Sequence, residues 1–118
     1  EIKKGDKVGY SGVFEANENM RIAILPVGYN DGVNRRLSNI GVVKVKNEYF
    51  KILGRVSMNV TTIDITNILN VNKGDEVEIF SEENNDQNSI LNVSKLCSTI
   101  PYDLLVHINP YTRREIRL

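Results

Sequence analysis

Short runs of β-branched and aromatic residues, each bounded by glycine, asparagine or aspartate, recur along most of the chain. A helical period of 3.6 residues is weak until near the C-terminal end. Such runs are typical of strands. They predict nine strands, which cover residues 7–10, 13–15, 20–27, 41–45, 48–52, 55–58, 61–64, 76–80 and 106–108. Between the fourth and fifth, Lys46-Asn47-Glu48 predicts a tight hairpin turn, because asparagine tolerates the left-handed backbone that such turns need.

Two short helices are predicted near the C-terminal end. Residues 88–89 can cap a helix over residues 90–97, where apolar side chains recur on one helical face. A second helical turn is predicted at residues 102–105, with Pro101 at a first helical position, where its missing N–H needs no partner. Residues 82–88 are all polar and predict a solvated loop without a function.

The number of short strands favours a mainly β fold. Many strands in 118 residues leave many sheet edges, and closing a sheet into a barrel removes those edges. We therefore predict one domain over residues 1–118, a small β-barrel-type domain with one or two short helices. The strand pattern by itself is equally compatible with a β-sandwich.

Charge and composition restrict the classes of molecule that this chain is expected to bind. The 15 basic and 15 acidic residues balance, so the chain lacks the positive field that attracts nucleic acid or anionic lipid. No long apolar run or signal peptide is present, and we expect no membrane contact from this segment. The single Cys97 cannot form an internal disulfide, which favours a cytoplasmic protein. The start at Glu1 rather than methionine suggests a fragment.

Four motifs carry the candidate chemistry. They are Val-Gly-Tyr-Ser-Gly at residues 8–12, Pro-Val-Gly-Tyr-Asn-Asp-Gly-Val-Asn-Arg-Arg-Leu-Ser at residues 26–38, Gly-Arg-Val-Ser-Met-Asn at residues 54–59 and Thr-Ile-Pro-Tyr-Asp at residues 99–103. In order and spacing they resemble the C-terminal domain of the alanine racemases over essentially the whole chain. The resemblance implies a small, mainly β domain of barrel type. It also implies an N-terminal barrel domain that binds pyridoxal phosphate (PLP) through a lysine, and no stretch here looks like that domain.

The resemblance implies that the longer protein interconverts L- and D-alanine, a peptidoglycan precursor. Racemisation removes the Cα proton from one face and returns a proton to the other, so it needs two bases. The PLP-bonded lysine is one, and in the resembling enzymes the other is a tyrosine that reaches across a homodimer, at the position of Tyr10. A phenol has a pKa near 10, so this base needs neighbouring cations. We expect the isolated chain to be inactive.

Five further residues match positions that handle substrate and cofactor in the resembling enzymes. Tyr29, Arg35 and Arg55 match residues at the active-site entrance, where two guanidinium groups favour a substrate bearing a carboxylate. Met58 matches a residue whose backbone amide binds that carboxylate. Tyr102 matches a tyrosine whose hydroxyl binds the phosphate of PLP. These assignments imply a small amino-acid substrate. We predict no metal site, because the sequence contains no cluster of metal-ligating residues.

The shared-site hypothesis makes a geometric prediction. If one active site is shared between subunits, its residues must emerge on one face of the domain. We predict one exposed patch, facing the barrel domain of a second subunit, formed by Tyr10, Tyr29, Arg35, Arg55 and Met58. Tyr102 is predicted to lie close by and to face the barrel domain of its own chain.

Three other residues receive structural interpretations. His107, the only histidine, alternates with apolar neighbours in the predicted last strand, so it is read as structural rather than as a metal ligand. Cys97 lies on the apolar face of the predicted helix and is read as a buried hydrophobe. Arg36 is read as a solvated surface charge.

One residue departs from the commonest motif. Asn59 stands where the resembling enzymes most often have aspartate, which makes the site more positive and leaves open a racemase for another small amino acid such as serine. A non-catalytic β-barrel binding module is the alternative from a different class. An upstream barrel domain with a PLP lysine would exclude that alternative.

Overall fold

The computed structural model describes residues 1–117, with the backbone but not the side chain of Tyr10. The strands are β1 (Lys7–Val8), β2 (Phe14–Glu15), β3 (Ile22–Leu25), β4 (Val42–Val45), β5 (Glu48–Leu53) and β6 (Thr61–Asp64). The helices are α1 (Ile90–Leu96) and α2 (Pro101–Val106), and two short 3-10 helices span Tyr10–Gly12 and Arg35–Leu37. Neither α1 nor α2 has the length and apolar run that crossing a bilayer needs.

The strands form two antiparallel sheets. β1 and β2 make a small hairpin, and the larger sheet has the order β3-β6-β5-β4. Val45 of β4 is paired with Glu48 of β5, and the two residues between them have φ values of 49° and 65°. That left-handed pair forms the tight turn predicted at Lys46-Asn47-Glu48, although Glu48 already belongs to β5. Together, the two sheets confirm the predicted mainly β class.

Within residues 1–117 the strands do not close into a barrel, so that part of the fold prediction is wrong. The edges are covered in another way. On the free side of β4, the Lys44 N–H donates to the Glu78 carbonyl (3.0 Å) and the Glu78 N–H donates back (2.8 Å). Just before β3, Met20 and Ile2 exchange two hydrogen bonds of 2.9 Å. Single bridges to neighbouring segments thus occupy backbone groups that barrel closure would have paired.

Three predicted strands are absent from the structure of residues 1–117. Residues 55–58 form a loop, because Gly54 turns the chain with a φ of 71°. Residues 76–80 contribute only the bridge at Glu78. Residues 106–108 do not form a strand, since α2 continues through Val106 and is followed by a turn.

Both predicted helices are confirmed. The Ser89 hydroxyl caps α1 by accepting the Asn92 N–H (3.1 Å), and Pro101 begins α2. The Arg36 guanidinium donates to the Cys97 carbonyl at the end of α1 (2.7 Å), so this arginine is not merely a solvated charge. Cys97 itself is buried, as predicted, and burial raises the pKa of its thiol.

Residues 82–88 are less solvated than predicted. Asn88 is fully buried and its side-chain amide donates to the Glu78 carbonyl (2.8 Å). Asp86 accepts hydrogen bonds from Lys44, Tyr49 and Ser81. These hydrogen bonds hold the polar loop to the edge of the larger sheet.

Two apolar clusters stabilise the fold. The larger lies between the four-stranded sheet and the helices. The smaller joins the β1–β2 hairpin to the end of β5 through Val8, Ala16, Met20 and Leu53. Because Val8 precedes the Tyr10 turn and Leu53 precedes Gly54, the smaller cluster brings two of the four motifs together.

Candidate active site

The second motif folds as a tight turn that presents Tyr29. The Asp31 carboxylate accepts the Gly28 N–H (3.0 Å), while the Gly28 carbonyl accepts the N–H groups of Asp31 (3.0 Å) and Val33 (3.1 Å). Asp31 thus closes the turn with its side chain and its backbone. Tyr29 is exposed at its tip.

This turn is bonded directly to the third motif. The Tyr29 N–H donates to the Ser57 carbonyl (2.9 Å), and the Asn30 N–H donates to the Met58 carbonyl (3.0 Å). Gly28 is buried in the contact, and a Cβ atom there would overlap the Ser57 carbonyl oxygen. Only glycine allows so close an approach, which places Tyr29 beside Met58.

Met58 lies at the tip of its loop. Ser57 closes that loop, since its N–H and hydroxyl both donate to the Val60 carbonyl (3.0 Å each) and its hydroxyl accepts the Val60 N–H (3.2 Å). Met58 is 52% exposed and does not belong to the apolar core. Among the atoms that the structure describes, none accepts the Met58 N–H. Within the described part of the structure this amide is therefore unpaired.

Arg35 and Tyr29 line the same depression. The Arg35 guanidinium lies 5.8 Å from the centroid of the Tyr29 ring, within the range of a cation–π contact. The depression has a volume of about 590 Å³ and is lined by Tyr29, Arg35 and residues 56–60. Asn59 is part of this lining.

Arg55 lies next to Arg35 in an adjoining depression that Arg36 and Ser38 complete. Ser38 joins the two segments, because its hydroxyl donates to the Arg35 carbonyl (2.5 Å) and accepts the Val56 N–H (2.9 Å). Of the residues that the structure describes, no aspartate or glutamate lines either depression. The surface is therefore suited to an anion.

The first motif approaches the same loop through its backbone. Gly9 precedes Tyr10 with a φ of 81°, and the Gly12 N–H donates to the Gly9 carbonyl (3.1 Å). A Cβ atom on Gly9 would lie 2.6 Å from the Arg55 nitrogen. The Tyr10 backbone therefore lies close to Arg55, while the prediction for the Tyr10 side chain falls outside the described part of the chain.

The helix that begins in the fourth motif reaches this site with residues that follow the motif. Tyr102, the second residue of α2, is 76% exposed and lines neither depression. Leu104 of α2 and His107, which directly follows the helix, line a smaller depression together with Tyr29 and Arg35. The helix that bears Tyr102 thus flanks the site with its C-terminal end.

His107 bonds to its own helix. Its Nδ1 atom lies 2.6 Å from the Asp103 carbonyl, and Asp103 in turn accepts the Thr99 hydroxyl (2.8 Å). The ring is exposed at the end of α2, not within a strand. Within residues 1–117 no cluster of histidine, cysteine and acidic residues could hold a metal ion.

The structure places Tyr29, Arg35 and Met58 around one depression and Arg55 beside Arg35 in the adjoining one, with the Tyr10 backbone close to Arg55. The roles of these residues stay predictions. The sequence interpretation missed the residues that hold these loops, which are Asp31, Ser38 and Ser57. Aspartate and serine often close turns through their own backbone, so each was a detectable signal.

Comparison with known proteins identifies the family. The family model described as alanine racemase, C-terminal domain, matches residues 1–116. The alanine racemase of Borreliella burgdorferi (strain ZS7) is 41% identical over 114 residues, which are 97% of this chain and 30% of that protein.

Solved structures agree. The alanine racemase of Bartonella henselae, with covalently bound pyridoxal phosphate, matches with a TM-score of 0.87 and 30% identity over 97% of this chain and 31% of that one. The Acinetobacter baumannii alanine racemase matches with a TM-score of 0.85 and 32% identity, again over 97% and 31%. This chain spans about 30% of the length of such relatives. It belongs to the family of alanine racemase C-terminal domains.

Proposed function

We propose that this chain is the C-terminal domain of a PLP-dependent alanine racemase, and that it contributes one base and the substrate-receiving residues. The observation that carries the proposal is that three loops meet through backbone contacts beside two depressions whose described lining residues include no aspartate or glutamate. Backbone contacts join the Tyr10 turn, the Tyr29 turn and the Met58 loop there. The named relatives are alanine racemases, so neither a serine racemase nor a non-catalytic module is carried further.

The residues present fit a phosphate-bearing cofactor held mainly by another domain. No lysine lines the depression of the Met58 loop within the described residues, and we propose that the lysine bonded to PLP belongs to the N-terminal domain. The Tyr102 hydroxyl is exposed and can donate to a phosphate oxygen. When bound, PLP supplies the electron sink that makes the Cα proton removable.

The chain's own residues receive the substrate carboxylate. The Met58 N–H, which no described atom accepts, can donate to it directly, and Arg35 and Arg55 provide positive charge at the rim. Both guanidinium groups lie on a surface without a competing carboxylate among the described lining residues. The amide fixes the carboxylate and thereby the face that the Cα proton presents.

Tyr10 is the proposed second base. Its phenolic oxygen accepts the Cα proton of L-alanine and returns a proton when D-alanine reacts. A phenol acts as a base near neutral pH only beside a cation. We propose Arg55 as that cation, because its backbone contacts Gly9, the residue before Tyr10.

The same proposal assigns the partners. The exposed apolar residues on and beside α2, namely Ile100, Tyr102, Leu105 and Val106, form what we call the α2 face. We propose that the α2 face meets the N-terminal domain of the same chain, and that the surface of the three loops meets the second subunit of a homodimer.

Replacing Tyr10 in the full-length protein tests this function. Tyr10→Phe removes the proton acceptor, so racemisation should fall by a factor on the order of 10² to 10⁴ while PLP absorbance is retained. In D₂O the variant should still exchange the Cα proton of D-alanine without inversion, because the lysine base remains. Tyr111→Phe, at an exposed tyrosine that lines neither depression, should behave as wild type. Normal turnover of L-alanine by Tyr10→Phe would refute the assignment.

A further inference from the structure

Two glycines from different motifs touch each other through their backbones. A Cβ atom on Gly9 would lie 2.6 Å from the Arg55 nitrogen and 3.0 Å from the Gly54 Cα. A Cβ atom on Gly54 would lie 2.5 Å from the Val8 carbonyl oxygen and 3.0 Å from the Gly9 Cα. Neither position can accept a side chain unless the two segments separate.

Both segments are rigidly supported outside this contact. Val8 ends β1 and directly precedes Gly9, and Leu53 ends β5 and directly precedes Gly54. Both are buried in the same apolar cluster. On the other side, the Gly54 N–H donates to the Asn39 side chain (2.6 Å). The contact is therefore the point at which the Tyr10 turn is set against the loop that bears Met58.

We propose that the Gly9–Gly54 contact is a positioning device, which fixes the distance between the Tyr10 base and the carboxylate-binding amide of Met58. This proposal rests on the proposed function. A Cβ atom at 2.6 Å has to retreat to about 3.5 Å, so either substitution moves the turn by about 1 Å. A displacement of that size between reacting groups can lower a rate on the order of 10²-fold.

Backbone strain is the competing explanation, and the chain offers a matched control for it. Gly9 and Gly54 have φ values of 81° and 71°, so alanine is strained at either position whatever the space around it. Gly5 has a φ of 92°, yet a Cβ atom there meets nothing within 4 Å. Gly5→Ala therefore introduces the strain without opening the contact.

The experiment compares Gly9→Ala, Gly54→Ala and Gly5→Ala in the full-length, PLP-loaded protein. All three should lower Tm. Gly9→Ala should also lower kcat by about 10- to 100-fold with little change in KM, because the Met58 amide remains in place. The primary isotope effect on kcat/KM should rise with Cα-deuterated L-alanine but not with D-alanine, since only the Tyr10 step is slowed. Gly5→Ala should keep the wild-type kcat and isotope effects.

A second measurement does not depend on turnover. Amide hydrogen exchange of the peptide over residues 7–12, without substrate, should be faster in Gly54→Ala than in Gly5→Ala. The two contact substitutions should also be non-additive in kcat, because the first already separates the segments.

Three outcomes would overturn the positioning role. They are equal kcat in Gly9→Ala and Gly5→Ala, isotope effects that change alike for both enantiomers, and loss of folding in both contact variants while Gly5→Ala folds. If Tyr10→Phe is inactive towards L-alanine in the same assays, these outcomes reject the positioning role of the Gly9–Gly54 contact and leave the proposed function intact. If Tyr10→Phe is fully active, the proposed function fails first.

Discussion

At the scale of single residues, Asp86 connects a polar loop to the sheet edge. Hydrogen bonds from Lys44, Ser81 and Tyr49 lower the pKa of its carboxyl from 3.8 to about 2. Because the folded state has the lower pKa, the carboxylate stabilises the fold fully above pH 3.8, and this contribution is lost as the pH falls towards about 2.

We therefore expect Asp86→Asn in the full-length protein to lower Tm at neutral pH, with a deficit that shrinks as the pH falls from 3.8 to about 2. Tm measured by circular dichroism across that range checks this. Glu83→Gln, at an exposed residue of the same loop, should leave the pH profile unchanged. A deficit for Asp86→Asn that is constant with pH would contradict the role of this carboxylate.

At the scale of elements, local chemistry made some parts of the fold predictable. The β4–β5 turn and the starts of α1 and α2 depend on residues in the turn itself or at the first positions of the helix. These residues are Asn47, Ser89 and Pro101. Residues 55–58 and 76–80 also have strand-like sequences, but their backbone partners lie in distant segments. A pattern of alternating apolar and polar residues does not distinguish a strand that is hydrogen-bonded within a sheet from an extended loop. The four motifs located the site, whereas its close backbone contacts appear only in the fold.

The start of α1 gives a direct test at this scale. Ser89→Ala removes the acceptor for the Asn92 N–H and should lower the free energy of unfolding by about 1 kcal/mol. Ser89→Thr retains a hydroxyl acceptor and should recover part of that loss. Urea unfolding midpoints of the two variants measure the difference. Equal midpoints for Ser89→Ala and wild type would show that the cap contributes nothing.

At the scale of the whole molecule, the domain exposes side chains that a partner would cover. The α2 face is exposed. The chain spans only about 30% of the length of its relatives, so the rest of a longer protein could cover this face. An exposed apolar surface of this kind promotes association. The isolated chain also has no lysine in the depression that the described residues form around Met58.

We expect the isolated 118-residue chain to show neither PLP absorbance nor racemase activity, and to self-associate through the α2 face. Val106→Lys should reduce that association in sedimentation experiments. Leu69→Lys changes an exposed apolar residue outside the α2 face and should not. Turnover of alanine by the isolated chain, or association unaffected by Val106→Lys, would contradict these expectations.

The bonds between the Tyr29 turn and the Met58 loop run from main chain to main chain. The position of the Tyr29 turn against the Met58 loop is therefore set by main-chain atoms and not by the side chains of Tyr29, Met58 and Asn59, which line the proposed substrate surface. Libraries that vary positions 29, 58 and 59 while keeping Gly28 and Ser57 should retain the loop geometry, so selectivity can be redesigned there without rebuilding the fold. Grafting the Met58 loop alone into another scaffold should fail, because its conformation is shared with a distant turn.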